Sequence, residues 1–267
     1  MRGLRTKTND LYLALCLCEY DLIAFSETWL NDDISNIELT CNYTLYRCDR
    51  NSRTSSHQRG GGVLIGVKNS LKSNTIFLND ADSLEQIAVQ VKLNNGTLYI
   101  CIIYIPPNSE SDIYVKHASC IQQISDRAGE CDTIVVVGDY NVPHLNWQYD
   151  DEIGTFLPNN ATSVREESLV EFVVSSGLKQ INYLKNHNNR ILDLAFVNEP
   201  SRFELNEPTL PLMRVDSHHR PFIMIFDSEM ECMDTAIECV FDFNRCDFSV
   251  LNSELANMQW NGSLTVG

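Results

Sequence analysis

Apolar positions along this chain come in short bursts, broken by glycine, proline and asparagine, and their spacing switches between strand and helix periods. Residues 9–19 carry Leu11, Leu13, Leu15 and Cys18 behind Thr8 as a candidate cap, which predicts an early helix. Residues 21–25 predict a short strand ending in Ser26-Glu27-Thr28-Trp29, and residues 43–48 a second. An arginine- and serine-rich loop closes on Gly60-Gly61-Gly62, and residues 63–67 form a third strand. Residues 86–93 and 97–105 predict a hairpin across Asn94-Asn95-Gly96, ended by Pro106-Pro107. Residues 111–129 read as helix, 158–165 as a polar loop, and 166–176 as an amphipathic helix stopped by Gly177. Further short strands are expected at 179–183, 191–197 and 221–227. Beyond about residue 228 the pattern loosens, with a weak helical hint at 247–258.

The most continuous apolar run opens at Thr133 and stops at Gly138, too unbroken for a half-exposed strand, so it predicts a strand buried on both faces. Asp139 and Asn141 follow on alternate positions, so in extended geometry a carboxylate and a carboxamide project together before Pro143 ends the strand. Mixed strands and helices with at least one hairpin predict a mixed α/β fold of layered sheets flanked by helices.

Several predicted strand ends carry polar groups: Glu27, Tyr104, Asp139 with Asn141, Asp193, and the cluster from Asp216 to His219. Hard oxygen ligands such as Glu27 and Asp139 suit Mg²⁺ or Mn²⁺. A histidine held by a carboxylate can activate water or orient a phosphate, and a tyrosine or asparagine donor can stabilise developing negative charge. Asp193 sits between Leu192 and Leu194, where an unpaired carboxylate is costly, and a histidine is a natural partner. Taken singly each signal is weak: Glu27 alone reads as a solvated strand end or helix cap and Tyr104 as an anchor, while Asp193 is less bland.

The 267 residues suit one large domain, or one domain with a tail, and 43% apolar with 21% charged residues is ordinary globular composition. The net charge of −16 argues against extensive contact with a polyanion, except locally. The local exception is Arg47, Arg50, Arg53, Arg59 and Lys68 against Asp49 alone, a solvated loop or a set of phosphate contacts. Scattered cysteines, with Cys16, Cys101 and Cys131 inside apolar elements, predict buried free thiols in a reducing compartment and no zinc site. No apolar run reaches bilayer-spanning length and no signal sequence opens the chain. An intracellular protein, nuclear or cytoplasmic, with no membrane partner is expected.

In this order, Ser26-Glu27-Thr28-Trp29-Leu30, Arg59-Gly60-Gly61-Gly62-Val63, Tyr104-Ile105-Pro106-Pro107, Gly138-Asp139-Tyr140-Asn141, Arg190-Ile191-Leu192-Asp193-Leu194 and Ser217-His218-His219-Arg220-Pro221 resemble the endonuclease domain of non-LTR (LINE-type) retrotransposons. That domain is a member of the endonuclease/exonuclease/phosphatase superfamily. The resemblance covers residues 1–227 and leaves 228–267 as a partly ordered tail similar to the segment that leads toward a reverse transcriptase. It implies a four-layer sandwich of two packed β-sheets with helices outside, and Mg²⁺-dependent nicking of DNA to leave a 3′-OH that primes reverse transcription. By residue, it implies that Glu27 binds metal, that Tyr104 lies in the site, and that Asp139 and Asn141 contact the nucleophile and scissile phosphate. Asp193 then orients the catalytic His219; for a DNA-acting protein the charge pattern makes Arg47, Arg50, Arg53 and Arg59 the candidate DNA contacts.

Two departures bear on activity. The family carries a metal-holding aspartate just before its histidine, where this chain has His218. Either Asp216, if the backbone bulges, or His218 toward Mn²⁺ takes that part. The family also opens with a strand ending in asparagine before an Arg-Gly-Leu-like turn, here Arg2-Gly3-Leu4, so that strand and its amide are expected to be missing. The two functions weighed are therefore a metal-dependent DNA endonuclease, and an inactive remnant that at most binds nucleic acid or a protein. A phosphatase or sphingomyelinase relative ranks third. A monomer acting on DNA, without the reverse transcriptase of the parent element, is expected.

Overall fold

The structure, a computed structural model, describes residues 3–226 apart from 56 and 58, together with residues 256–257. In chain order the elements are α1 (Thr8–Leu17), β1 (Leu22–Ser26), α2 (Asn36–Leu39), β2 (Tyr43–Cys48), β3 (Val63–Lys68), β4 (Ser73–Thr75), β5 (Glu85–Leu93), β6 (Gly96–Tyr104) and α3 (Ser111–Ser125). Then follow β7 (Thr133–Asp139), β8 (Asn146–Asp150), β9 (Thr155–Asn159), α4 (Val164–Ser176), β10 (Lys179–Gln180), β11 (Asp193–Val197), β12 (Phe203–Asn206) and β13 (Ile223–Phe226). No helix among the described residues is long and apolar enough to cross a membrane.

The large sheet has eight strands in the order β4-β5-β6-β7-β11-β10-β9-β8. Only β6 and β7 run parallel, joined by the crossover through α3; the other neighbours are antiparallel. One face of this sheet packs Cys101, Ile103, Val136 and Phe196 against Tyr114 and Ile121 of α3 and Leu169 and Phe172 of α4. The other face packs Ile100, Ile102, Val135, Val137 and Ala195 against Val63, Ile65 and Val67 of β3 and Leu205 of β12. Those strands belong to a three-stranded sheet, β1-β3-β2, and a two-stranded ribbon, β12-β13. Leu11 and Leu15 of α1 and Leu39 of α2 cover the outer side of the three-stranded sheet, against Ile23, Leu45 and Leu64. The layers are thus helix, sheet, sheet, helix, the expected sandwich.

Most elements lie where the periodicity puts them, and the exceptions have physical causes. Lys7, not Thr8, is the cap position of α1, and no side chain caps it. At α4, Ser163 accepts from the Glu166 amide and Glu166 reaches back, a capping box that starts the helix ahead of residue 166. The strand expected at 179–183 shortens to two residues, because Asn182 bonds the Asp193 carbonyl and the Leu184 amide instead of continuing a ladder. The polar loop expected at 158–165 begins as β9, half of a hairpin whose Phe156 and Tyr149 rings lie 5.0 Å apart. The thiols also divide: Cys101 and Cys120 are buried, whereas Cys16 and Cys131 are exposed, and every described cysteine is free. The tail from residue 228 and its helical hint fall outside the described residues, apart from the helical pair 256–257.

His117, which has no special context in the sequence, braces the core. Its ring nitrogens meet Gln86 Oε1 and Tyr140 Oη, and burial lowers its pKa to about 3, so it is neutral. This links β5 to α3 and to the residue that follows Asp139.

Gly138 interrupts the valine run because β6 passes too close for a side chain. A Cβ there would stand 2.2 Å from the Ile103 carbonyl oxygen and 2.7 Å from Ile103 Cγ2. Gly138→Ala is therefore expected to destabilise the fold by about 1–3 kcal/mol, read as a lowered urea midpoint with an unchanged m-value.

Candidate active site

The pairing of three adjacent strands builds the floor of the site. Tyr104 at the end of β6 is in register with Asp139 of β7, and Asp139 is in register with Asp193 of β11. These positions share the parity of Ile102, Val137 and Ala195, so their side chains face the smaller sheets. From that side come Glu27, just beyond β1, and His219, just before β13.

Glu27 is delivered by an irregular turn. It has φ 54° and Trp29 φ 56°, both left-handed, which the structure holds by pairing them with the glycine loop. The Thr28 amide donates to Gly62 O at 3.1 Å and the Trp29 amide to Gly61 O at 2.8 Å. Gly61 must lack a side chain, since a Cβ would fall 2.0 Å from Glu85 Oε2. Glu85 is the residue the sequence reading passed over, because a glutamate ahead of a strand carries no local signal. Buried, it accepts from the Gly62 amide and, at 2.7 Å, from Arg50 Nε, while Arg50 Nη1 donates to Arg59 O at 2.9 Å. Burial raises the Glu85 pKa, and the Gly62 amide and Arg50 oppose that rise. With this cradle in place, Tyr104 Oη donates to Glu27 Oε1 at 2.8 Å. Burial, then the Glu27 charge, raises the Tyr104 pKa, so the phenol stays neutral and remains a donor.

The basic stretch divides accordingly. Arg50 is spent inside the cradle, and Arg47 is tied to Asp49 and to the carbonyls of Asn31 and Ile34. Arg53 pairs with Asp82 at 3.0 Å on the open surface, and exposed Arg59 lies over the Trp29 ring at 5.3 Å. Of the four arginines, only Arg53 and Arg59 are exposed.

At the other side of the floor, His219 Nδ1 lies 3.0 and 3.2 Å from the two Asp193 carboxylate oxygens. Its Nε2 lies 3.7 Å from Asp139 Oδ2. Asp139 is 1% exposed, accepts from the Asn141 amide at 3.2 Å through Oδ1, and leaves Oδ2 buried without a hydrogen bond. Burial raises its pKa, the Asp193 charge adds to that, and His219 opposes both. For His219 burial lowers the pKa, but the Asp193 bond and the two carboxylates outweigh it, giving about 9. Asn141, with φ 48°, turns its Nδ2 to the Ile105 carbonyl at 2.9 Å.

A second set of contacts holds the turn that carries His219. Asn186 Nδ2 donates to His218 O at 3.0 Å, while its Oδ1 accepts from the amides of Asn188 and Arg190. His187 packs edge-on against His218 with centroids 4.5 Å apart. Asp216 Oδ1 accepts from the His218 amide at 2.8 Å, and its carbonyl accepts from the His219 amide at 3.2 Å. Asp216 and His218 therefore shape the turn, and the His218 ring faces His187.

Among the described residues, Asp139, Asp193 and His219 have ligand atoms within 4.8 Å of one another. Oxygen donors and an unbonded buried carboxylate oxygen fit a hard divalent cation, whose charge would relieve the crowding of Asp139 by Asp193 and Glu27. Asp216, His218 and Glu27 stand outside that cluster, although Glu27 acts on Asp139 electrostatically.

Residues 98–223 match the family model described as endonuclease-reverse transcriptase. No curated protein matches the chain in sequence. The fold is similar to the endonuclease domain of TRAS1, a telomere-specific non-LTR retrotransposon, with 10% identity and a TM-score of 0.54 over 84% of this chain and 95% of that one. It is also similar to a 3′ phosphatase, NExo, from Neisseria bound to product DNA hairpin, at 13% identity and a TM-score of 0.55 over 85% and 96% of the two chains. An AP endonuclease from Archaeoglobus fulgidus matches at 14% identity and a TM-score of 0.55, over 85% of this chain and 96% of that one. Identities this low establish the shared fold, and the residues that match the endonuclease-reverse transcriptase family model, 98–223, carry Tyr104, Asp139, Asn141, Asp193 and His219.

Proposed function

We propose that this protein is a divalent-metal-dependent endonuclease that hydrolyses DNA phosphodiester bonds. The observation that carries the reading is the Asp193–His219–Asp139 series. One imidazole nitrogen is held by a carboxylate at 3.0 Å, and the other lies 3.7 Å from a buried second carboxylate. DNA as the substrate class is supported by the relatives, one of them bound to a DNA hairpin product.

In the proposed reaction a water oxygen bonds to phosphorus, the P–O3′ bond breaks, and the 3′ oxygen leaves as an alcohol after taking a proton from solvent water. The product end is a 3′-OH able to prime reverse transcription. Asp139, whose proton affinity is raised by burial, takes the water proton. His219, as imidazolium, bears on the negative charge of the scissile phosphate, and Asp193 fixes its ring. Asn141, whose Nδ2 keeps one proton beyond its bond to Ile105 O, supplies a hydrogen bond near the same point, and the neutral Tyr104 phenol holds Glu27. Asp139, with Glu27 from outside the Asp139–Asp193–His219 cluster, would hold Mg²⁺ or Mn²⁺, which would polarise a phosphoryl oxygen and offset charge on the leaving oxygen. Arg53 and Arg59 are the arginines left to meet the DNA backbone.

A second reading, a non-catalytic remnant that binds nucleic acid or a protein, is favoured by one observation. The Asp216 carboxylate accepts from the His218 amide and the His218 ring packs on His187, and among the described residues no other carboxylate joins the cluster in their place.

Purified protein is expected to nick supercoiled plasmid with Mg²⁺ or Mn²⁺, and Asp139→Ala or His219→Ala to lower the rate by at least on the order of 10²-fold. Folded protein that leaves the plasmid intact with both metals would favour the remnant. In metal-free protein the His219 ring protons, followed by NMR, should titrate near pH 9. Because this pKa is raised on folding, the pair's stabilisation is present below about 6.5 and is lost as pH rises through about 9. Asp193→Asn should shift the titration far below that value and remove the corresponding slope from the stability-versus-pH curve. A variant that still titrates near pH 9 would show that Asp193 is not what sets it.

A further inference from the structure

The loop that leads into Asp193 and the turn that carries His219 are tied to each other, and a recess of about 490 Å³ opens between them. Its lining includes Lys185, His187 and Asn189 from the loop and Asp216, Ser217 and Arg220 from the turn. These walls are fixed before any ligand arrives. The His187 amide and its ring Nδ1 both donate to Ser217 O, at 3.2 and 2.7 Å, so this imidazole serves as wall. The Asn186 carboxamide, 8% exposed, closes the loop on the Asn188 and Arg190 amides and ties it to His218 O.

The recess is rich in donors and poor in competing acceptors. From Lys179 to Leu192 the chain carries Lys179, Lys185 and Arg190 and no acidic residue. Among the described residues no carboxylate pairs with exposed Lys185, and nothing holds the exposed Ser217 hydroxyl. Arg220 Nε lies 3.7 Å from Glu207 Oε1 with both side chains about half exposed, a pair that water screens and a stronger anion displaces. Asp216 is the one carboxylate in the lining, and its Oδ1 accepts from the His218 amide at 2.8 Å. In a chain of net charge −16, a lysine left without a carboxylate beside the catalytic histidine calls for an anionic partner.

We propose that this recess seats a backbone phosphate of the DNA, flanking the phosphate that is cut, with Lys185 and Arg220 as its charge partners and Ser217 as a hydroxyl donor. The inference rests on the nuclease reading and adds a second point of contact to it. A guanidinium grips a phosphate through two N–H groups, and an ammonium acts on it as a point charge. The location follows from the sheet. Asp193 opens β11 and is in register with Asp139, so the loop just before it stands at the catalytic end of the large sheet. Arg220 directly follows His219. Arg59, by contrast, lies over Trp29, two residues past Glu27, on the other side of the floor. Cations therefore stand on both sides of the Asp139–His219 centre, as contact with a strand that continues past the cut in both directions requires.

The test is binding of a short labelled DNA duplex to the 267-residue chain in EDTA, followed by fluorescence anisotropy over a range of salt concentrations, which separates binding from cleavage. Lys185→Ala combined with Arg220→Ala is expected to weaken binding by on the order of tenfold. It should also reduce the slope of log affinity against log salt by about 0.9, the value for one phosphate contact. Lys185→Arg with Arg220→Lys, which keeps both charges, should retain the wild-type slope. Lys72→Ala with Lys92→Ala removes the same charge elsewhere. Lys92 pairs with Thr97, at the end of β5 and β6 away from Tyr104, and its amide donates to Lys72 O, so this variant should keep the slope as well. An equal fall in both alanine pairs makes the effect one of net charge and overturns the proposal, as does a slope untouched at Lys185 and Arg220. Wild-type protein that binds the duplex with an untouched slope in that variant leaves the nuclease reading standing, whereas wild-type protein that binds no DNA removes both.

Discussion

A carboxylate with 1% of its surface exposed ends the strand buried along its whole length, and the rest of the site is arranged around that charge. Asp139 cannot be placed there without a compensating group, because desolvation of an ionised carboxylate costs several kcal/mol. The structure supplies only part of the compensation: one backbone amide from Asn141 and a histidine at 3.7 Å. Meanwhile Asp193 and Glu27 add like charge. An acidic centre left short of positive charge suits a cation, and the same shortage raises the His219 pKa beside it.

Two supports keep this strained arrangement in place, and neither touches the reacting atoms. On one side the buried Glu85–Arg50 pair and the left-handed glycines pin the turn that presents Glu27. On the other, Asn186 clamps the backbone just before His219. Both use buried polar groups held by hydrogen bonds within the chain, the kind of support that fixes a side chain's position. The cost is that two arginines from the most basic part of an acidic protein are used internally and are unavailable to a polyanion.

The sandwich is less evenly finished than its site. The large sheet and its helices form a continuous core, whereas the facing layer is divided into three strands and two with an apolar slot between. That slot reaches Asp193 and His219 at one end.

Sequence alone determined the local facts. Valine-rich residues 133–137 had to be a covered strand, Asn94-Asn95-Gly96 had to turn, and Asp139 with Asn141 had to leave the end of a strand together. The ordered motifs also marked Glu27, Tyr104, Asp193 and His219, although what unites them is distant in the chain. Only the tertiary structure decided what each of those groups meets. Register across β6, β7 and β11 sets Tyr104, Asp139 and Asp193 in one row, and register is a property of paired strands that no single strand carries. The same holds for the arginines, whose identical side chains end in a buried pair or on the surface according to which carboxylates fold beside them. Glu85 and Asn186 were invisible for that reason: their roles are made by backbone groups brought close from elsewhere in the chain.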